Sequence, residues 1–103
     1  MEFLVHIEAV ASGGDSSELH EQLTLAEHER VTQLVEGGVI RRLWRVPGRR
    51  ENWGIWEAPD ATALHAEIAS LPLFPQLNVT VHPLAKHPLD PSTLRANTSG
   101  DSD

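Results

Sequence analysis

The sequence contains no cysteine among its 103 residues. A disulfide framework, a zinc site with thiolate ligands and a cysteine nucleophile are therefore excluded. Long apolar runs are also missing, because none approaches the roughly 20 residues that a membrane-spanning helix needs. The first residues, Met1 to Glu8, alternate apolar with polar side chains and lack the basic and apolar regions of a signal peptide. These absences predict a cytoplasmic, soluble protein.

Basic residues are scarce, with 8 Lys and Arg against 15 Asp and Glu, and the formal net charge is -7. This acidic balance argues against nucleic acid as a partner. Most of the basic residues nevertheless cluster in one short stretch of the chain: Arg41, Arg42, Arg45, Arg49 and Arg50. A local cationic patch on an acidic protein favours a small anionic ligand.

The length suits one domain of two packed layers. Hydrophobic periodicity predicts six main elements. They are a strand over 2–10, a helix from Ser16 or Ser17 to the Gly37-Gly38 stop, strands over 39–46 and 51–57, a helix from Asp60 to about Ser70, and a strand from Leu77. The order β-α-β-β-α-β predicts a ferredoxin-like α+β sandwich, with an antiparallel sheet and two helices on one face. The domain is predicted to end at residue 90, with a flexible tail over 91–103.

The hairpin around the Pro47-Gly48-Arg49-Arg50 corner is predicted to form the centre of the sheet. In its first strand, alternation places Ile40, Trp44 and Val46 on one face and puts Leu43 beside Arg41 and Arg45 on the other. Both faces then carry large apolar groups. A sheet with helices on one side only would have a more polar outer face, so we expect a second subunit to cover it.

Two charged residues, Glu27 and Arg30, fall on the apolar face of the first helix. In one interpretation they pair with each other at the rim of the core. In the other, Glu27 lines a pocket between helix and sheet, where partial desolvation raises its pKa and suits it to proton transfer. The sequence leaves both open.

Further candidates for a binding site are Arg45, which is predicted to lie in mid-sheet and to need a buried anionic partner, and three tryptophans. Trp44, Trp53 and Trp56 are either core and interface residues or ligand contacts. No metal site is predicted. His20 lacks a second histidine one turn later, where the chain has Thr24, and His82 and His87 lack a third ligand.

Taken together, these stretches resemble the muconolactone Δ-isomerase family. The resemblance is carried in order by Met1 to His6, the Glu27-x-Glu29-Arg30 helix ending in Gly38, Arg42 to Gly48, Asn52-Trp53, Leu64-His65, Leu71 to Pro75 and His87-Pro88. The matching segments span most of residues 1 to 90.

The resemblance implies small ferredoxin-like subunits of the dimeric α+β barrel type, which assemble into a decamer with active sites at subunit boundaries. It also implies an intramolecular oxidoreductase that needs no cofactor and moves the double bond of an unsaturated lactone during catechol breakdown in the β-ketoadipate pathway. Glu27 matches the proton-shuttling glutamate. Arg45, with Arg30 or Arg49 as alternatives, would bind the substrate carboxylate. The three tryptophans and His65 are the remaining expected substrate contacts.

One departure from the family concerns Thr24, which stands where some of these isomerases carry a lysine, and another concerns Ile40, which replaces an aromatic residue. Two alternatives therefore stay open. One is a related enzyme acting on a chlorolactone or a polyketide-like intermediate, as a dehalogenase or cyclase. The other is a non-catalytic ligand-binding protein. A buried Glu27 inside a pocket favours the enzymes, whereas an exposed Glu27 favours the binding protein.

Overall fold

The computed structural model describes residues 1–10 and 17–99. Its elements are β1 (Glu2–Ala9), α1 (Ser17–Glu36), β2 (Ile40–Arg45), β3 (Glu51–Glu57), α2 (Ala61–Ala69), β4 (Leu77–Leu84) and α3 (Pro91–Ser99), with a 3-10 turn over Phe74–Gln76. The four strands form one antiparallel sheet in the order β2-β3-β1-β4. The predicted ferredoxin-like α+β fold is therefore confirmed.

The predicted helix ends are confirmed by their local geometry. After α1, Gly38 adopts a φ of +79°, a left-handed conformation that side chains other than glycine rarely accept. The Gly37 and Gly38 N–H groups donate to the carbonyls of Gln33 and Val35 at 2.9 and 3.1 Å, which closes the last turn. At the start of α2, the Asp60 carboxylate accepts a hydrogen bond from the Ala63 N–H at 2.8 Å.

The core lies between the two main helices and one face of the sheet. Its buried members come from β1, α1, β2, β3 and α2 and from the segments that follow β3 and α2: Phe3, Val5, Ile7, Leu34, Ile40, Trp56, Ala58, Leu64, Ile68 and Leu71. Alternate residues of β1 supply the sheet side of this core, as the period of two requires. The helices thus cover a single face, here called the inner face.

The position of β2 differs from the prediction in two ways. The hairpin does not form the centre of the sheet, because β2 is an edge strand and only β3 lies inside. In addition, a bulge between Ile40 and Arg42 shifts the register. Ile40 therefore pairs with Trp56 on the inner face while Trp44 pairs with Trp53 on the other, so the prediction that Ile40 and Trp44 share a face is wrong.

The opposite, outer face of the sheet carries an apolar patch, called here the outer patch. It consists of Leu4, Trp44, Trp53 and Ile55. Trp44 is 45% exposed within the single chain. The His6 ring lies 4.4 Å from the Trp53 ring and is within hydrogen-bond distance of Glu51, at 2.9 Å. The sequence-based expectation of apolar groups on both faces therefore agrees with the fold.

The last element, α3, occupies part of the segment for which the sequence predicted a flexible tail. It begins at Pro91, where proline suits the first turn of a helix, and the Asp90 carboxylate accepts a hydrogen bond from the Ser92 N–H at 2.9 Å. The prediction did not include this helix. In the part of the chain that the structure describes, no helix is both long and apolar enough to cross a membrane.

Candidate active site

A cavity of about 680 Å³ opens between α1, the inner face of the sheet and the loop after α2. Three of the residues predicted for the site line it together: Glu27, Arg45 and Trp56. They come from α1, β2 and β3 respectively, so the cavity is formed by elements that are far apart in the sequence. We refer to it as the Glu27 cavity.

Glu27 reaches the cavity because of its place on α1. It lies seven residues, or about two turns, before Leu34, whose buried side chain fixes the side of α1 that faces the sheet. The Glu27 carboxylate accepts a hydrogen bond from the Leu73 N–H at 3.0 Å. Leu73 directly follows Pro72, whose ring fixes its own φ and so restricts the backbone that carries this donor.

The surroundings of Glu27 raise the pKa of its carboxyl group. Burial raises the pKa of the carboxyl above its ordinary value of 4.5, while the Leu73 hydrogen bond and the nearby His28 oppose this with smaller effects. A carboxylate with a raised pKa is a stronger base once ionised, and a pKa closer to neutral suits a group that has to act as base and then as acid. The interpretation in which Glu27 lines a pocket is thus the one that the geometry supports.

Arg45 lies at the end of β2, opposite Asn52 of β3. The expectation that it sits in mid-sheet and needs a buried anion is wrong, because β2 is the edge strand and Arg45 is exposed. Arg45 instead lines the Glu27 cavity as an exposed residue. Arg50, at the far end of the hairpin turn, lines the same cavity. Two cations are therefore available to an anionic ligand.

The two alternative arginines lie elsewhere. Arg30 does not pair with Glu27, since it donates to Ser70 at 2.9 Å, Gln33 at 3.1 Å and Glu67 at 3.2 Å. It thereby ties α1 to α2. Arg49 is exposed and reaches only the Glu51 carboxylate, at 3.5 Å. Neither side chain lines the Glu27 cavity.

The predicted aromatic contacts separate into three places. Only Trp56 lines the Glu27 cavity, whereas Trp44 and Trp53 belong to the outer patch. His65 lies on α2, beside a second and smaller cavity of about 360 Å³ that opens between α2 and β4. Its ring meets Phe74 edge-on at 6.2 Å. Within one chain, the structure does not bring His65 together with Glu27.

Sequence reasoning did not assign a role to Asn52, although the strand period places it on the inner face with Trp56. The Oδ1 atom of Asn52 and the Nε1 atom of Trp56 are buried and have no hydrogen-bond partner within residues 1–10 and 17–99. An unmade hydrogen bond of this kind costs about 1–3 kcal/mol, so two such atoms in residues that line one cavity are a signal of ligand contacts.

Thr24 also lines the Glu27 cavity, one turn before Glu27 on α1. Its hydroxyl donates to the His20 carbonyl at 2.8 Å, so this proton is already committed to the helix backbone. Among the described residues, no group of three or more His, Asp and Glu side chains is arranged to hold a metal ion.

Comparison with known proteins places this arrangement in a family. Residues 1–90 match the family model of muconolactone delta-isomerase. The chain belongs to the muconolactone delta-isomerase family. The resemblance drawn from the sequence is thereby confirmed, and with it the expectation of an isomerase that moves a carbon–carbon double bond.

Individual members of the muconolactone delta-isomerase family agree with this assignment. The isomerase of Pseudomonas aeruginosa is 35% identical over 68 residues, which cover 66% of this chain and 71% of that protein. Muconolactone Delta-isomerase 2 of Acinetobacter lwoffii is 30% identical over 86 residues, covering 82% of this chain and 90% of its own.

Solved structures support the same fold. The crystal structure of a muconolactone isomerase superposes with a TM-score of 0.78 at 32% identity, covering 88% of this chain and 95% of the other. A 5-chloro-2-hydroxyhydroquinone dehydrochlorinase from Burkholderia phenoliruptrix superposes with a TM-score of 0.62 over 84% of this chain and 96% of its own. At 15% identity, this second match speaks for the fold alone.

Proposed function

We propose that the protein converts muconolactone to 3-oxoadipate enol-lactone, with Glu27 carrying the proton. The observation that supports this most directly is a partly buried carboxylate, held by the Leu73 N–H, in a cavity that also borders two arginines. This is the arrangement that shifting a double bond in a small anionic lactone requires. No cofactor takes part in the proposed reaction.

The reaction needs one proton to leave the ring carbon that bears the acetate side chain. The ionised Glu27 takes this proton as the C–H bond breaks, and the electron pair spreads through the ring double bond to the lactone carbonyl oxygen. Glu27 then returns the proton to the carbon next to the carbonyl, which leaves the double bond one position along. One carboxylate serves as base and then as acid, so charge and protons balance.

The acetate side chain of the substrate is a carboxylate and needs a cation. Arg45 is our first choice, because it borders the Glu27 cavity and a guanidinium can bind a carboxylate through two parallel hydrogen bonds. Arg50 stands near enough to take part. Trp56 lines the same cavity on the sheet side. The position of Glu27 favours this catalytic role over a non-catalytic ligand-binding protein.

Purified enzyme should isomerise muconolactone, which is followed by the change in ultraviolet absorbance as the conjugated double bond is lost. Because Glu27 acts first as a base, kcat/KM should fall about tenfold per pH unit below the Glu27 pKa. Burial raises that pKa, so this acid limb should lie above 4.5. Absence of turnover with muconolactone would reject the proposed substrate, and a chlorinated muconolactone tested in parallel would then address the dehalogenase alternative.

The protein is further proposed to act in the cytoplasm as a homo-oligomer, a decamer built from dimers. The outer patch supports self-association, because Trp44 and Trp53 form part of an apolar surface that no element of the described chain covers. A second copy placed over this patch would bury it. The sheet would then be covered on both faces.

Trp53→Glu should disrupt that assembly, because it places a carboxylate in the middle of the apolar contact. We expect a smaller particle in sedimentation velocity or light scattering than for the wild type. Leu25→Glu is the matched control, since Leu25 lies on α1 and is 70% exposed. An unchanged particle mass for Trp53→Glu would show that the outer patch is not the contact between subunits.

A further inference from the structure

Two buried polar atoms on β3 have no hydrogen-bond partner among the described residues. Trp56 is only 1% exposed, yet its Nε1–H has no hydrogen-bond partner in the described residues, and the same holds for Oδ1 of Asn52. Both residues line the Glu27 cavity. Native proteins satisfy most buried polar groups, so an unpaired pair at a cavity wall points to a ligand that completes them.

The glycine between these residues brings the two groups towards each other. Asn52, Gly54 and Trp56 alternate along β3 on the inner face, with about 7 Å between successive members. A Cβ atom at Gly54 would stand 3.2 Å from Nε1 of Trp56, so the indole nitrogen lies over the glycine. The edge of the indole therefore extends from Trp56 towards Asn52, across the gap that the missing side chain leaves.

The chemistry of the pair defines what it can bind. An indole N–H donates and never accepts, so an occupant must offer an acceptor oxygen at this place. The Asn52 amide can present either its oxygen or its NH₂ group after a half-turn of its last torsion angle. With the amide turned to donate, both residues offer neutral donors on the sheet side of the cavity, whereas Glu27 enters from the helix side.

We propose that Trp56 and Asn52 bind the lactone carbonyl oxygen and donate hydrogen bonds to the negative charge that forms there. This inference rests on the proposed function. When the ring C–H bond breaks and Glu27 takes the proton, the electron pair reaches this oxygen. When the carbon next to the carbonyl is protonated, the charge disappears again. Donors fixed in a buried wall stabilise such a charge without having to reorganise.

Kinetics of Trp56→Phe and Asn52→Leu provide the first test, with muconolactone as substrate. Losing one donor to a developing oxyanion lowers kcat by about 100- to 1,000-fold, and KM should change far less. Asn78→Leu is the matched control, because Asn78 is an exposed asparagine on β4. If both cavity variants retain wild-type kcat, the proposal is wrong even though the isomerase activity stands.

An NMR measurement on the wild-type protein covers the case in which a Trp56 variant does not fold. The probe is the saturated γ-lactone with an acetic acid side chain, which cannot be isomerised. On binding, the Trp56 indole proton signal should move downfield, and more than those of Trp44 and Trp53, which are identified from their Phe variants.

A lactone that shifts backbone signals of the cavity but leaves the Trp56 indole unmoved overturns the proposal, as does a lactone that does not bind. Failure of the proposed function is seen separately, as absence of muconolactone turnover by the wild type. The indole signal then still decides whether this pair binds a lactone carbonyl.

Discussion

Replacing Glu27 by Gln is expected to lower kcat for muconolactone by about 100- to 10,000-fold, the usual contribution of a positioned acid–base group. The change removes the base and leaves the volume of the side chain nearly unchanged. The Gln side-chain oxygen can still accept the hydrogen bond that the Leu73 N–H gives to Glu27 at 3.0 Å. The fold and the particle mass should therefore stay as in the wild type, measured by circular dichroism and light scattering.

Glu29→Gln is the control for this result. Glu29 lies on the same helix, and its replacement by Gln makes the same change of charge. Glu29 is exposed, however, and does not line the Glu27 cavity. Its kcat should equal that of the wild type. Turnover by Glu27→Gln at the wild-type rate would remove Glu27 from the mechanism, and an equal loss in both variants would mean that overall charge, rather than the cavity carboxylate, matters.

Replacing Arg45 by Met should raise KM for muconolactone about tenfold with little change in kcat. The reason is that a hydrogen bond between charged groups contributes about 1.5–3 kcal/mol when shielded from water, and the exposure of Arg45 places it at the lower end. Because the acetate is bound alike before and during the reaction, its loss weakens binding without slowing the chemical step. Steady-state kinetics over a range of muconolactone concentrations measure both constants.

Arg49→Met separates the candidates that the sequence left open. Arg49 is exposed and pairs with Glu51, so the KM of Arg49→Met for muconolactone should match that of the wild type. The opposite pattern, a raised KM for Arg49→Met and an unchanged KM for Arg45→Met, would reverse the assignment. Arg30→Met is a poor test of binding, because Arg30 joins α1 to α2 through Ser70 and Glu67 and its loss should first lower stability.

The fold was largely predictable because its signals are local. The Gly37-Gly38 stop and the Asp60 cap act within one or two helical turns, so their residue types specify the ends of α1 and α2. Alternation over β1 likewise identifies the buried residues Phe3, Val5 and Ile7. The helix over 91–99 was missed, because a segment rich in Ser, Thr and Asp has no apolar period that would indicate one.

The site was predictable only in part. Helical periodicity predicted that Glu27 lies on the side of α1 that faces the sheet. The same reasoning failed for β2, because one extra residue in the bulge at Ile40 and Arg42 exchanges the faces of every residue that follows. Trp44 therefore lies on the face opposite to Ile40, and the hairpin prediction placed Arg45 in the interior although β2 is an edge strand.

By itself, the sequence indicated the family, through its ordered set of matching segments, and the ferredoxin-like element order, and it placed Glu27 on the side of α1 that faces the sheet. Only the tertiary structure decided which arginine and which tryptophan share the cavity with Glu27. Strand order, a single bulge and the packing of α1 against the sheet set these neighbours, and all three depend on contacts between residues far apart in the sequence. Gly54 illustrates the difference, because the close approach of the Leu43 side chain and the Arg42 carbonyl to it arises only when β2 and β3 are paired.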